Sequence, residues 1–322
     1  GGYDTKQDPT GDPAVIPTSR NPDDMGNAVY VVDPATGARL AYFTADTTTD
    51  TAADQNRLQV PGMENGIIGI LPVDINNNGI IERLYASGVG GRIFRIDIPD
   101  SKTENIDGLC DQGDGDTPQE GYDQCVTIKG GMIADINSDP GNSGFQRFFN
   151  KPEVAYYSRG GETFLSILIG SGYRASPLDN TVTDRFYMIK DYDAFTVPSS
   201  YCESDLDPLE GCKSVITEGG LYDATANLIQ ESENILAPLE SALYTCLETA
   251  VDDWLVESVS DGLLPAADGE PEVCEVDKDD FYAQKTVVDG HKVDLAAKSG
   301  WYIDLLEGDI KQKVFSEARI FE

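Results

Sequence analysis

Short apolar runs, each broken by Gly, Asn, Asp or Pro, dominate this chain and constrain its fold more than any other feature. Ala28-Val29-Tyr30-Val31-Val32-Asp33 is rich in β-branched and aromatic side chains. Pro34-Ala35-Thr36-Gly37 then turns the chain, and Arg39-Leu40-Ala41-Tyr42-Phe43 returns, which predicts a hairpin. The same rhythm gives strands at Ile67 to Val73, Leu84 to Ser87, Arg92 to Asp97, Val154 to Tyr157, Phe164 to Ile169 and Arg185 to Lys190. Gly300 to Leu305 reads as a strand paired with Lys313-Val314-Phe315. Runs this short do not sustain helices, so a mainly β fold is predicted. Four runs place an aromatic just before a polar end: Tyr30 with Asp33, Phe94 with Asp97, Tyr187 with Lys190, and Tyr302 with Asp304. Their irregular spacing excludes a regular WD40 array. It leaves both a radial array with long loops and an ordinary β-sandwich open.

One stretch departs from this rhythm. From Leu239, apolar residues recur four apart through Leu243, Leu247 and Val251, with Trp254 following, which suits an amphipathic helix. Residues 220–258 are expected to form a short and a longer helix, with Pro238 in the first turn of the longer one. Residues 260–280 read as an acidic loop. The expected organisation is one domain, 1–322, with a helical and loop insertion at 199–298 between β units.

The charge narrows the function classes. Lys and Arg number 23 against 57 Asp and Glu, a formal net charge of −34. Nucleic-acid binders carry a basic footprint, so binding a phosphate backbone is excluded as the main activity. Docking on anionic lipid is disfavoured for the same reason. No apolar run approaches the roughly 20 residues of a membrane span. The acidity favours solubility and divalent cations. The polar opening Gly1-Gly2-Tyr3-Asp4 shows no signal peptide, so the chain reads as a mature product or a piece of a longer one.

Six cysteines fall into local couples: Cys110 with Cys125, Cys202 with Cys212, and Cys246 with Cys274. Six cysteines allow about fifteen pairings. Each couple brackets a Gly/Asp/Pro-rich loop, and local bridges are expected. No CxxC occurs and His291 is the sole histidine, which argues against zinc. Disulfides in an oxidising, extracytoplasmic compartment are the expectation.

The sharpest chemical signal is Asp74-Ile75-Asn76-Asn77-Asn78-Gly79-Ile80-Ile81-Glu82. Oxygen-bearing side chains stand at loop positions 1, 3, 5 and 9, Gly79 at position 6, and Ile80 could offer its carbonyl at position 7. Hard Ca²⁺ takes six to eight oxygens, and a loop turning at glycine can point alternate side chains inward. Asp74, Asn76, Asn78, Ile80 and Glu82 are therefore the candidate calcium ligands. A full helical EF-hand is absent: Tyr85 stands at position 12, and the flanks read as strands. With two formal charges, a micromolar or weaker site is expected. Asp135-Ile136-Asn137-Ser138-Asp139 repeats part of the pattern but has Pro140 where glycine is wanted, so a surface turn is the better reading. Asp114 and Asp116 are weaker still. No catalytic constellation is visible: His291 lies in what reads as a polar Asp-Gly-His-Lys turn, and neither a nucleophile elbow nor a P-loop occurs. Gly88 to Gly91 leads into a strand, whereas a phosphate cradle needs a helix N-terminus.

The order of these pieces resembles the C-terminal domain of the PilY-type proteins of bacterial type IV pili. The resemblance runs through Gly26 to Gly37, the Asp74–Glu82 loop, Leu84 to Gly88, Gly91 to Asp97, Ile169 to Arg174, Asp184 to Tyr187, Leu221 to Asn227 and Gly300 to Leu305. It implies a quinoprotein-like β-propeller, its first blades lying before this chain, with a calcium loop between strands. It also implies an extracellular, non-enzymatic protein at the pilus tip or cell surface. Such a protein passes through the periplasm, associates with minor pilins, and supports assembly, calcium-dependent retraction and adhesion to host or abiotic surfaces. Two other functions remain open. A periplasmic quinone-dependent dehydrogenase shares the architecture but needs adjacent cysteines, which this chain lacks. The other is a secreted, calcium-stabilised scaffold.

Overall fold

The computed structural model describes residues 22–23, 25–45, 57–98, 128–138, 145–174, 177–178, 181–203, 211–239, 241, 278–307, 310–312 and 314. The chain divides into two compact units, Gly1–Leu221 with Ser299–Glu322, and Tyr222–Lys298.

The first unit is built almost wholly from strands. β1 (Ala28–Val32) and β2 (Arg39–Thr44) form the expected hairpin, and β3 (Arg57–Gln59) adds parallel to β2. Its turn is tied by Asp33, whose carboxylate accepts from the Ala35 N–H at 2.8 Å and the Thr36 hydroxyl at 2.6 Å. β4 (Ile67–Val73), β5 (Arg83–Gly88), β6 (Arg92–Asp97) and β7 (Lys129–Asp135) make an antiparallel meander. β8 (Glu153–Arg159), β9 (Glu162–Gly170) and β10 (Arg185–Asp191) begin a second. Gly160 and Gly161 both have positive φ, which suits the two-residue β8–β9 turn. β11 (Ile216–Thr217) pairs parallel with β7. β12 (Tyr222–Asp223) opens the second unit. β13 (Gly300–Asp304) returns to lie antiparallel to β10, and β14 (Leu306–Glu307) pairs with β15 (Ile310–Lys311). The partner of Gly300 to Asp304 is β10; of the expected partner Lys313-Val314-Phe315, residues 313 and 315 lie outside the described residues, and the Val314 N–H donates to the Ser171 carbonyl at 3.2 Å.

The alternation of side chains explains the layering. On β5 and β6, Leu84, Ala86, Phe94 and Ile96 pack with Val29, Ala41 and Phe43 of the first sheet. Tyr85 and Ile93 point the other way, against Leu165, Ile167, Tyr187 and Ile189 of the second meander. The β4–β7 sheet is thus covered on both faces, which is why all six residues of β5 are buried. The result is mainly β with few helices. Among the described residues the sheets form successive antiparallel meanders, with no closed ring of blades. Gly91 makes the β5–β6 turn. Its φ is +69°, and a Cβ there would lie 2.2 Å from the Asn137 side-chain nitrogen. Gly88 to Gly91 is thus a hairpin turn held tight by its neighbours.

Between the two meanders lies a buried charge cluster. Arg95, fully buried, donates to Asp97 at 3.0 Å and to Asp191 at 2.9 Å, and also to the carbonyls of Asp193 and Thr196. Arg83 donates to Asp97 at 2.8 Å and to the Ala194 carbonyl at 3.0 Å. Asp191 also accepts from the Tyr85 hydroxyl at 2.6 Å and from Lys213 at 2.8 Å. Burial pushes the Asp191 carboxyl up, but Arg95 and Lys213 outweigh it and hold it down at about 2. An unfolded Asp titrates at about 3.9. A lowered folded-state value adds stability above the unfolded value, and that stability disappears as pH falls from about 4 to about 2. At about 1.4 kcal/mol per pH unit, Asp191 contributes on the order of 2 kcal/mol at neutral pH. The Asp191→Asn variant is expected to be less stable at pH 7 and to lose this part of the acid dependence, as read from unfolding free energy against pH.

In the second unit, helix α1 covers 228–239 and α2 covers Lys278–Ala297. Residues 220–227 are not the expected helix: a 3-10 turn, Glu218–Gly220, ends at Gly220, and β12 and a turn follow. Pro238 lies near the end of the described part of α1 rather than in a first turn. Residues 242–277 lie outside the described residues, and with them the rest of the expected longer helix, the greater part of the acidic loop, and Cys246 and Cys274. The Gln284 side chain donates to the Ser232 carbonyl at 3.1 Å, and Lys292 pairs with Glu233 at 2.5 Å, joining the two helices. Asp289-Gly290-His291-Lys292, read from sequence as a turn, is helical.

Candidate metal centre

The Asp74–Glu82 segment is the connection between β4 and β5, closed by the Val73–Arg83 pair. Glu82 donates its N–H to the Val73 carbonyl at 3.3 Å, and its own carbonyl accepts from Ile98 at 2.8 Å, so the base of the loop is fixed to the sheet. Within the loop, side-chain oxygens cap backbone N–H groups. Asp74 accepts from Asn78 at 3.1 Å and from Gly79 at 2.7 Å. Asn76 accepts from Asn78 at 3.0 Å, and Asn78 accepts from Ile80 at 2.8 Å. These are Asx turns, which short polar side chains form readily. Asn77 and Gly79 adopt positive φ, 58° and 88°, in keeping with the tolerance of asparagine and glycine for that region.

The tight turning brings Asp74, Asn76 and Asn78 into one hydrogen-bonded coil. Glu82 folds back across its base: Oε2 accepts from the Ile75 N–H at 2.8 Å. The other oxygen, Oε1, is buried and has no hydrogen-bond partner. A carboxylate oxygen taken from water with no donor is costly, and such an atom is where a cation is expected. The donors here are oxygens throughout, with neither nitrogen nor sulfur, which fits Ca²⁺. When bound, the ion would neutralise Asp74 and Glu82, and the residues that fit it are Asp74, Asn76, Asn78, the Ile80 carbonyl and Glu82. Among the described residues no three His, Cys, Asp or Glu side chains gather as a metal cluster; this loop has two carboxylates and relies on amides for the rest.

The second acidic turn is engaged by the protein. Asp135 accepts from Arg92 at 2.9 Å and from the Asn137 N–H at 3.1 Å. The Asn137 side chain donates to the carbonyls of Gly90 and Gln146 and accepts from the Gln146 N–H. It pins the chain after β7 to the β5–β6 turn. Asp139, Asp114 and Asp116 lie outside the described residues, as do Cys110 and Cys125. The Cys202–Cys212 disulfide is present. Among the described residues no helix is long and apolar enough to cross a membrane.

The class defined so far is a mainly β, disulfide-bonded, strongly acidic chain with an oxygen-lined hairpin loop. No family model matches it, and no curated protein does. Among solved structures it is similar to the crystal structure of the Pseudomonas aeruginosa PilY1 C-terminal domain, at 17% identity and a TM-score of 0.36. The match covers 61% of this chain and 35% of that one, so the chain spans about a third of that structure. At that score the likeness is remote and assigns neither fold nor function.

Proposed function

We propose that this chain is part of a non-enzymatic, extracellular protein of the type IV pilus: a PilY-type factor for pilus assembly and adhesion at the tip or cell surface. In this reading the two meanders are blades of a β-propeller, and the Asp74–Glu82 loop holds Ca²⁺. The observation that carries it is Glu82, whose buried Oε1 lacks a partner at the base of a loop lined by Asp74, Asn76 and Asn78. The ordered succession of matching segments along the sequence supports the family assignment. The Cys202–Cys212 bridge suits an oxidising compartment, and a charge of −34 suits a calcium-rich exterior. Minor pilins are the proposed partners, with a host or abiotic surface as the adhesion target, and no catalytic residue is assigned.

The test is the Asp74→Ala variant in the native host, assayed for pilus extension and retraction in calcium-replete and calcium-depleted medium. The balance of extension and retraction is expected to stop responding to calcium while the chain is still exported. A normal calcium response in that variant overturns the regulatory role. Export without any association with pili overturns the pilus assignment itself.

A further inference from the structure

The Cys202–Cys212 bridge and the buried charge cluster are parts of one arrangement. The residues flanking the two half-cystines meet: Tyr201 and Lys213 form a parallel β-bridge. Cys202 donates its N–H to the Lys213 carbonyl at 3.0 Å, and Lys213 donates to the Ser200 carbonyl at 2.9 Å. Both flanking side chains end in the cluster. The Tyr201 hydroxyl donates to Asp97 at 2.5 Å, and the Lys213 ammonium donates to Asp191 at 2.8 Å and Asp193 at 2.5 Å. The Tyr201 side chain fits because Gly131 lies beside it; a Cβ at Gly131 would sit 2.2 Å from that of Tyr201.

With Lys213 in place, three cations (Arg83, Arg95 and Lys213) face three carboxylates (Asp97, Asp191 and Asp193). Withdrawing Lys213 leaves two cations against three carboxylates, and Asp97 and Asp191 are almost wholly buried. An uncompensated charge there is far more costly than at the surface.

We propose that the Cys202–Cys212 disulfide is a redox-operated clamp on the seam between the β4–β7 sheet and the β8–β10 sheet. Closed, it holds Lys213 and Tyr201 on Asp191 and Asp97. Opened, it releases both, and the seam loosens. A dithiol reductant supplies the two electrons. Its thiolate attacks the half-buried Cys212 sulfur, the S–S bond breaks, and the Cys202 thiolate leaves and takes up a proton. The reductant's second thiol then closes its own disulfide and frees the Cys212 thiol.

The experiment compares the full chain with Cys202→Ser/Cys212→Ser, with Lys213→Met, and with the combined variant, reading Tm at pH 7 and the midpoint of acid unfolding. Loss of the bridge and loss of Lys213 are expected to overlap, so the combined Tm loss falls short of the sum by roughly 2–4 °C. The acid midpoint is expected to move to higher pH in each variant, because Asp191 is protonated more readily without Lys213. Strictly additive Tm losses, with the acid midpoint of the serine variant unchanged, reduce the bridge to a loop staple and overturn the proposal. Should the serine variant fail to fold, folded wild-type protein is reduced with dithiothreitol and followed by amide exchange. Faster exchange over residues 191–197 is expected, and unchanged exchange there overturns the clamp.

Discussion

Replacing Arg95 with methionine is expected to destabilise the chain by about 3–5 kcal/mol, the usual cost of breaking a buried ion pair from one side. Methionine keeps much of the aliphatic stem, so the loss is electrostatic more than steric. The Arg95 guanidinium serves four acceptors at once: Asp97, Asp191 and the carbonyls of Asp193 and Thr196. Removing it leaves each of two buried carboxylates with a single close cation, Arg83 on Asp97 and Lys213 on Asp191, both at 2.8 Å. The cluster joins β6 to the end of β10, so the loss also weakens the seam between the meanders. Lys285→Met provides the contrast. Lys285 and its partner Asp289 are both about half exposed, and a pair of that kind is worth at most about 1 kcal/mol. Denaturant unfolding of the two variants measures the difference. A loss below about 1 kcal/mol for Arg95→Met contradicts the role given to the cluster.

The same cluster shows why some of the structure was hard to read from sequence. Arg95 and Asp97 sit inside the run Arg92-Ile93-Phe94-Arg95-Ile96-Asp97, where charges usually face water. Strict alternation, however, places residues 93, 95 and 97 on one face, and Ile93 on that face is fully buried. The period-2 signal for a buried arginine was present, but its partner Asp191 lies far along the chain and is brought in by the fold. Local signals were easier. Asp33 and Gly37 specify the β1–β2 turn, and Gly160-Gly161 specifies the β8–β9 turn, because turn chemistry acts within a few residues. The pairing of β13 with β10 joins segments far apart along the chain, which neighbouring sequence does not encode. Helix α2 was missed because its apolar residues form no continuous stripe and Asp289-Gly290 imitates a turn. In the candidate site, the spacing of Asp74, Asn76, Asn78 and Glu82 was legible. The burial of one Glu82 oxygen was not, since it depends on Ile75 turning back to the same carboxylate.

Calcium is expected to produce the second large effect. An ion bound only by the folded chain stabilises it by about 2.7 kcal/mol at a hundredfold excess over Kd. For a chain of this size that corresponds to a Tm rise of roughly 4 °C. The rise should saturate with Ca²⁺, and the Asp74→Ala and Glu82→Gln variants should not show it. Asp74→Ala removes two caps on the loop as well as the proposed ligand, so its own stability should fall even without the ion. Glu82→Gln is the cleaner probe, because it preserves size while removing the charge. The most direct test is isothermal titration calorimetry of CaCl₂ into the full chain and into Glu82→Gln. One saturable site of micromolar or weaker affinity in the wild type, with no measurable binding in Glu82→Gln, is the predicted result. Undiminished binding in Glu82→Gln, or no binding in the wild type at millimolar Ca²⁺, contradicts the assignment of the Asp74–Glu82 loop as a calcium site.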